Sequence, residues 1–236
     1  MKKLILIISL FIGIHANAQQ GDWKTVGKFI SRDSITKGNY TLIFVNLDST
    51  FVKQGDAVKQ RMEDAFFKVY PEEAKAFNKK TLRKVVFIID PNYKGVAATA
   101  DGTVRYNPKW MLKQPTDLDV VTHEVMHIVQ DYGDNAGPGW LTEGIADYVR
   151  YVYGVDNATA KWTLPALKPT HHYDNAYRIT ARFLVWVEKD VKKGIVQKLD
   201  SQLRSHTYKD DSWKKLTGKT LDELWAAYVS NENKPA

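Results

Sequence analysis

The sequence predicts an α+β fold: a small mixed sheet in its first half, then a mainly helical second half. Three observations carry this. Two β-branched apolar runs lie at 40–46 and 85–89, the segment between them repeats apolar residues at helical spacing, and from Thr116 onward the pattern is helical almost to the end. At 44% hydrophobic and 26% charged residues, the 236-residue chain is too apolar for disorder and too polar for a membrane bundle.

The elements follow in order. Lys2 and Lys3 precede an uncharged, mostly apolar run over 4–14, and Ala16 and Ala18 follow it. That run is shorter than the roughly 17–25 residues that span a bilayer, and it has the three-part form of an export signal. Residues 1–18 are therefore expected to be a cleaved signal peptide, and 19–236 a single mature domain in the periplasm or the medium, with no transmembrane segment left. The run Tyr40-Thr-Leu-Ile-Phe-Val-Asn46 reads as a strand, as does Val85-Val-Phe-Ile-Ile89 before Asp90-Pro91. Between them, Val58, Met62, Ala65, Phe66 and Val69 recur at helical spacing over 56–77, so a β-α-β start is expected. Two short extended runs around the turn dipeptide Asp101-Gly102 read as a hairpin or edge strand over 95–107. Helices are expected over 117–132, 140–153, 174–191, 194–205 and 220–229, with Gly133, Gly154 and Gly194 as stop signals.

Composition also excludes. The chain has no cysteine, which removes a disulfide framework, a thiolate-ligated zinc, a thiol nucleophile and an iron–sulfur cluster. Its net charge is +7, falling to +5 once Lys2 and Lys3 are gone. The basic runs are only pairs, such as Lys79-Lys80, with carboxylates among them. That distribution makes solvated faces, so no nucleic-acid partner is expected. No heptad or long apolar surface run points to an obligate assembly, and a monomer is expected.

The chemistry centres on His123-Glu124-Val125-Met126-His127, an H-E-x-x-H pattern. Histidines at i and i+4 stand one turn apart on one helix face, so both imidazoles reach a single ion. Neutral imidazole nitrogen suits zinc, and the adjacent Glu124 can take a proton from a water that the metal activates. Leu118, Val121, Val125, Ile128, Val129 and Tyr132 form an apolar stripe on the opposite side, so the histidines are not on the core face. Thr116 followed by Asp119 resembles a capping box that starts the helix. A catalytic zinc usually takes three protein ligands, and Glu143, on a second helix that folds back after a Gly/Asn/Pro loop, is the candidate third. Asp147 shares its face one turn on and could hold the second ring nitrogen of a zinc-bound histidine. Away from the upstream motif, the same two carboxylates would read as an exposed acidic pair. Gly144 between them marks a close backbone approach or an ordinary kink.

These residues resemble a known family. Gly139-Trp-Leu-Thr-Glu-Gly-Ile-Ala-Asp-Tyr-Val-Arg150 after the H-E-x-x-H helix, then Tyr177-Arg-Ile-Thr-Ala-Arg-Phe-Leu184 and Leu221-Asp-Glu-Leu-Trp225, resemble the basic secretory protein family of plants and bacteria. That family is classed with zinc metallopeptidases of the gluzincin type, and the resemblance extends over about 40–228. It implies a zincin-like fold with an edge strand above the active-site helix. It also implies one Zn2+ per chain on His123, His127 and Glu143, Glu124 as general base, and a peptide or protein substrate. Tyr177, inside a family-like stretch, is the candidate oxyanion donor; Tyr173, His171 and His172 lie in the same segment. Two features depart from the pattern: the basic excess is modest, and 162–173 matches nothing. Substrate is expected as an added strand along 95–100. Two other readings remain at this level. One is a secreted binding module on a zincin fold, and the other a zinc amidase acting on cell-envelope substrate.

Overall fold

The structure, a computed structural model, describes residues 28–232; the expected signal peptide lies outside them. The chain forms β1 (Ser31–Lys37), β2 (Tyr40–Asn46), α1 (Ser49–Gln54), α2 (Asp56–Ala76), β3 (Lys84–Ile89), β4 (Ala97–Ala100) and β5 (Thr103–Tyr106). Its second half is helical: α3 (Pro108–Lys113), α4 (Val120–Gln130), α5 (Gly139–Tyr153), α6 (Tyr177–Trp186), α7 (Ile195–Arg204), α8 (Ser212–Thr217) and α9 (Leu221–Glu232). The α+β class and its order, sheet first and helices after, are as the periodicity predicts.

The strands make one mixed sheet in the order β1-β2-β3-β5-β4. β2 and β3 are parallel and joined through α2, which is the expected β-α-β unit. One face of their apolar runs is buried because α2 covers it: Leu42, Phe44, Val85 and Phe87 pack in one core with Met62, Phe66 and Tyr70 of α2, while Ile43, Val45 and Ile88 form a separate buried cluster on the other face. β1 pairs antiparallel with β2 and was not legible in the sequence, because its polar run lies mostly exposed at the outer edge. At the other edge β4 pairs antiparallel with β5 through a two-residue turn. Asp101 and Gly102 both have positive φ, 49° and 73°, the type I′ geometry that matches strand twist.

β4 lies beside α4, which also packs against α2 and α5. All six residues of the predicted apolar stripe are buried. The opposite face of α4 is buried as well: His123 and Glu124 are shielded from bulk solvent and face a cavity. One cap expectation fails. Asp119 makes no side-chain cap for α4; its carboxylate instead accepts from Thr122 Oγ1 (3.0 Å) and from the Val155 (2.5 Å) and Asp156 (2.6 Å) N–H groups, pinning the loop after α5. α4 ends at Asp131, left-handed at φ 45°, before Gly133. The helix expected over 174–191 is broken at Ala176 (φ 63°), between a short 3₁₀ turn (Tyr173–Asn175) and α6, which runs on as a π-helical turn (Val187–Val191).

α5 and α6 approach closely at one point. A Cβ on Gly144 would stand 2.2 Å from Thr180 Cγ2 and 2.7 Å from Thr180 Cβ, so only glycine fits. The two openings left by the sequence, close approach or kink, resolve to close approach.

Candidate metal centre

α4 carries His123 and His127 one turn apart, and α5 folds back to carry Glu143 and Asp147 one turn apart on the facing side. His123 Nε2 and His127 Nε2 are 3.2 Å apart, and Glu143 Oε2 lies 3.3 Å from the first and 3.6 Å from the second. Four donors at zinc distances of about 2.0–2.1 Å have tetrahedral edges of about 3.3 Å. The three atoms thus form a triangle of the size that three zinc ligands make, and this group could hold a metal ion.

The far sides of the rings fix which nitrogen is free. Asp147 Oδ1 lies 2.7 Å from His123 Nδ1, and Gln130 Oε1 lies 2.7 Å from His127 Nδ1. Gln130 Nε2 donates to the Thr142 carbonyl (2.9 Å), so its oxygen must face the histidine. Both Nδ1 atoms therefore act as donors, and both Nε2 lone pairs point at the same spot. Two lone pairs and a carboxylate oxygen facing one another need a proton or a cation between them. Without metal, protons play that part. Burial opposes a charged His123, yet its hydrogen bonds to Asp147 and Glu143 push it up to about 10. Burial likewise opposes an ionised Glu143, but hydrogen bonds from His123 and His127 hold it well below the usual carboxylate range. The donor set fits a divalent cation.

Glu124 sits beside this triangle on the same cavity, which measures about 1420 Å³. The edge strand faces the cavity too, through Val96 to Thr99, and Thr99 Oγ1 lies 2.7 Å from Glu124 Oε2. Tyr177 stacks over His123, ring centroids 6.1 Å apart and planes 19° from parallel. Its position is forced by a strained entry: Ala176 and Tyr177 both have positive φ, 63° and 48°, where side chains are disfavoured. Burial and the Glu143 and Glu124 carboxylates push its phenol up to about 12, so it keeps its proton. The other oxyanion candidates lie elsewhere. Tyr173 donates to Asp222 (2.9 Å), His172 bonds Asp174 (2.7 Å) and packs on Trp225, and His171 Nδ1 faces the Lys168 N–H. The unmatched stretch contributes Trp162 to the cavity wall, with the Arg150 guanidinium 4.5 Å over its ring.

Sequence reading missed Gln130 and Thr99. Gln130 stands three residues after His127 on the same helix, a spacing that could have found it. Thr99 comes from a strand 25 residues before Glu124 and leaves no local signal.

A family model described as BSP, peptidase of plants and bacteria, matches residues 46–228. The chain belongs to this family. Its BSP fold also resembles solved structures. A two-domain M1 zinc metallopeptidase mutant bound to L-tryptophan superposes with a TM-score of 0.52 at 16% identity, over 87% of this chain and 53% of that one. An M1 zinc metallopeptidase mutant from Deinococcus radiodurans bound to a Tyr-Ser-Ala substrate gives 0.49 at 15% identity, over 87% and 53%. The first likeness shows the fold, which is zincin-like. This BSP chain spans about half the length of those metallopeptidases. No individually curated protein sequence matches it. No helix among the described residues is long and apolar enough to cross a membrane.

Proposed function

We propose that this BSP-family chain is an exported zinc metallopeptidase, with one zincin-like domain over 19–236 and one zinc ion held by His123, His127 and Glu143. One observation carries the reading. Three donor atoms converge at zinc-ligand spacing while both histidines have their outer nitrogens occupied, beside the Glu124 carboxylate and a wide cleft. The zinc, when bound, acidifies water and polarises a carbonyl.

The residues do the rest. Glu124 takes a proton from the attacking water and passes it to the leaving amine, so that one peptide bond breaks and one water is consumed. The Tyr177 hydroxyl, protonated and placed over His123, donates to the oxyanion that develops on the scissile carbonyl. Asp147 and Gln130 hold the imidazoles in the tautomer that presents Nε2. Substrate lies as an extended peptide along β4, whose short alanine-rich run leaves room for a backbone and selects little by side chain.

The test uses the chain from Gln19, loaded with zinc and incubated with a diverse peptide mixture whose products are read by mass spectrometry. Wild type is expected to bind one zinc and cut, while Glu124→Gln binds zinc and loses about 100-fold or more in turnover. Equal products from both would mean a contaminant. One bound zinc with no cleavage would overturn the peptidase reading in favour of an envelope amidase or a binding module. Tyr177→Phe separates the oxyanion role: kcat should fall by about 100-fold or more with KM little changed.

A further inference from the structure

A general base must be aimed at the proton it takes, and the fold supplies a group that holds one oxygen of Glu124. Thr99 Oγ1 lies 2.7 Å from Glu124 Oε2 and 3.0 Å from the Glu124 backbone carbonyl. A hydroxyl has one proton to give, and the shorter bond, to the charged acceptor, is the stronger. The other carboxylate oxygen of Glu124 has no hydrogen-bond partner among the described residues. Glu124 lines the cavity.

The backbone of Thr99 has a second part in the site. The β4–β5 turn closes on Ala100 and Thr103, and the Asn107 N–H donates to the Val96 carbonyl (3.0 Å). Ladder bonds therefore fall at Val96, Ala98 and Ala100, and the N–H and C=O groups of Ala97 and Thr99 turn to the open edge. Tyr93 Oη donates to the Ala97 carbonyl (2.9 Å), so that acceptor is already taken. Thr99 is then the edge residue with both backbone groups turned outward and its side chain turned inward onto the base.

We propose that Thr99 is a positioning residue: its hydroxyl clamps Glu124 Oε2, so that docking of a peptide on the Thr99 backbone and alignment of the base depend on one strand position. This rests on the peptidase reading of the site. Nothing else in the edge strand could replace it, because Ala97, Ala98 and Ala100 have no side-chain donor.

Thr99→Val keeps the shape and the β-branching while removing the donor, and Thr99→Ser keeps the donor. The variants are compared with wild type, all zinc-loaded, for zinc stoichiometry, kcat and KM on a peptide that wild type cuts. In Thr99→Val, kcat should fall about 10- to 100-fold with KM within about twofold and zinc unchanged, and Thr99→Ser should recover to within about threefold of wild type. Wild-type kcat in Thr99→Val, a loss confined to KM, or a Thr99→Ser as impaired as Thr99→Val would overturn the proposal. Crystal structures of the zinc-loaded proteins decide independently of turnover. The clamp requires the Thr99 hydroxyl on Glu124 in wild type and a displaced carboxylate in Thr99→Val. A wild-type hydroxyl turned away from Glu124 would overturn it. If wild type cuts no peptide, the peptidase reading fails alone and the crystallographic comparison still decides the clamp.

Discussion

Asp147 Oδ1 stands 2.7 Å from His123 Nδ1, whereas His127 Nδ1 meets a neutral amide oxygen, Gln130 Oε1, at the same distance. The two imidazoles are thus oriented alike, one backed by a carboxylate and the other by a neutral amide. A carboxylate behind the ring makes His123 the stronger electron donor, and the amide behind His127 only fixes its direction. Asp147→Ala should weaken zinc binding by about 10- to 100-fold, and Gln130→Ala by less. Asp147→Asn should fall between wild type and Asp147→Ala, because its oxygen still accepts from Nδ1. A competition titration against a chromophoric chelator reads all three. Wild-type affinity in Asp147→Ala would remove Asp147 from the site.

Zinc binding should release protons. Burial resists charging His123, but Asp147 and Glu143 lift it to about 10, so near neutral pH the metal-free ring carries a proton that zinc must displace. Apparent affinity is therefore expected to rise with pH, by up to about tenfold per unit for each proton displaced, and to flatten above about 10. The same shift works on the metal-free fold. A raised histidine stabilises fully below its unfolded value, and that stability is lost as pH rises through about 10. Calorimetry of zinc binding in buffers of different ionisation heat counts the protons. A count of zero would contradict the arrangement.

Most of this was readable where burial marks a whole segment. α2 and α4 are long enough for their core-facing residues to show a helical period, whereas β2 and β3 are buried on both faces and read as continuous apolar runs. α1, α3 and α8 have six residues each, too few to show a period. Two of them are held by end groups instead: Asp48 Oδ1 accepts from Phe51 N–H (2.6 Å), and Asn107 Oδ1 from Lys109 N–H (3.0 Å). In the site, His123, His127, Glu143 and Asp147 were legible as i and i+4 pairs on two helices, and the structure brings all four together. Asp119 was misread as a cap because a carboxylate near a helix start has the same sequence signature whichever N–H groups it binds. Thr99 was silent because its partner is set by tertiary packing alone.

Gly144 couples the position of Glu143 to that of Tyr177. It follows Glu143, and its bare Cα lets Thr180 of α6 seat against α5, while Thr180 Oγ1 donates to the Tyr173 carbonyl (2.5 Å). Tyr177 stands three residues before Thr180, so pushing α6 outward moves the phenol over His123. Gly144→Ala puts a methyl 2.2 Å from Thr180 Cγ2 and should cost about 1–3 kcal/mol in stability. The loss in kcat should exceed what unfolded protein explains at assay temperature. Gly144→Ala combined with Thr180→Gly should recover part of both losses, since the clash is then removed. Melting curves and kinetics on the three proteins check it, and no recovery would mean that the contact is not what matters.

One buried acid plays no part in the site. Glu73 on α2 is fully buried, and neither of its carboxylate oxygens has a hydrogen-bond partner; the Tyr106 hydroxyl is buried without one as well. Burial raises Glu73 well above the usual carboxylate range, and His123 only partly pulls it back. The sign follows from linkage. An acid raised in the folded state stabilises the fold fully below its unfolded value of about 4.5. It loses that stability as pH rises toward the folded value, because unfolding then releases a proton. The metal-free wild type should thus lose up to about 1.4 kcal/mol per pH unit from this group over that window. Glu73→Gln cannot ionise and should lack that slope, so it should gain on wild type steadily as pH rises from about 4.5, while the two stay close below it. Urea unfolding of both proteins across pH measures the difference. A difference that does not change with pH would show that Glu73 is charged in the folded core, with a counter-charge supplied by His123.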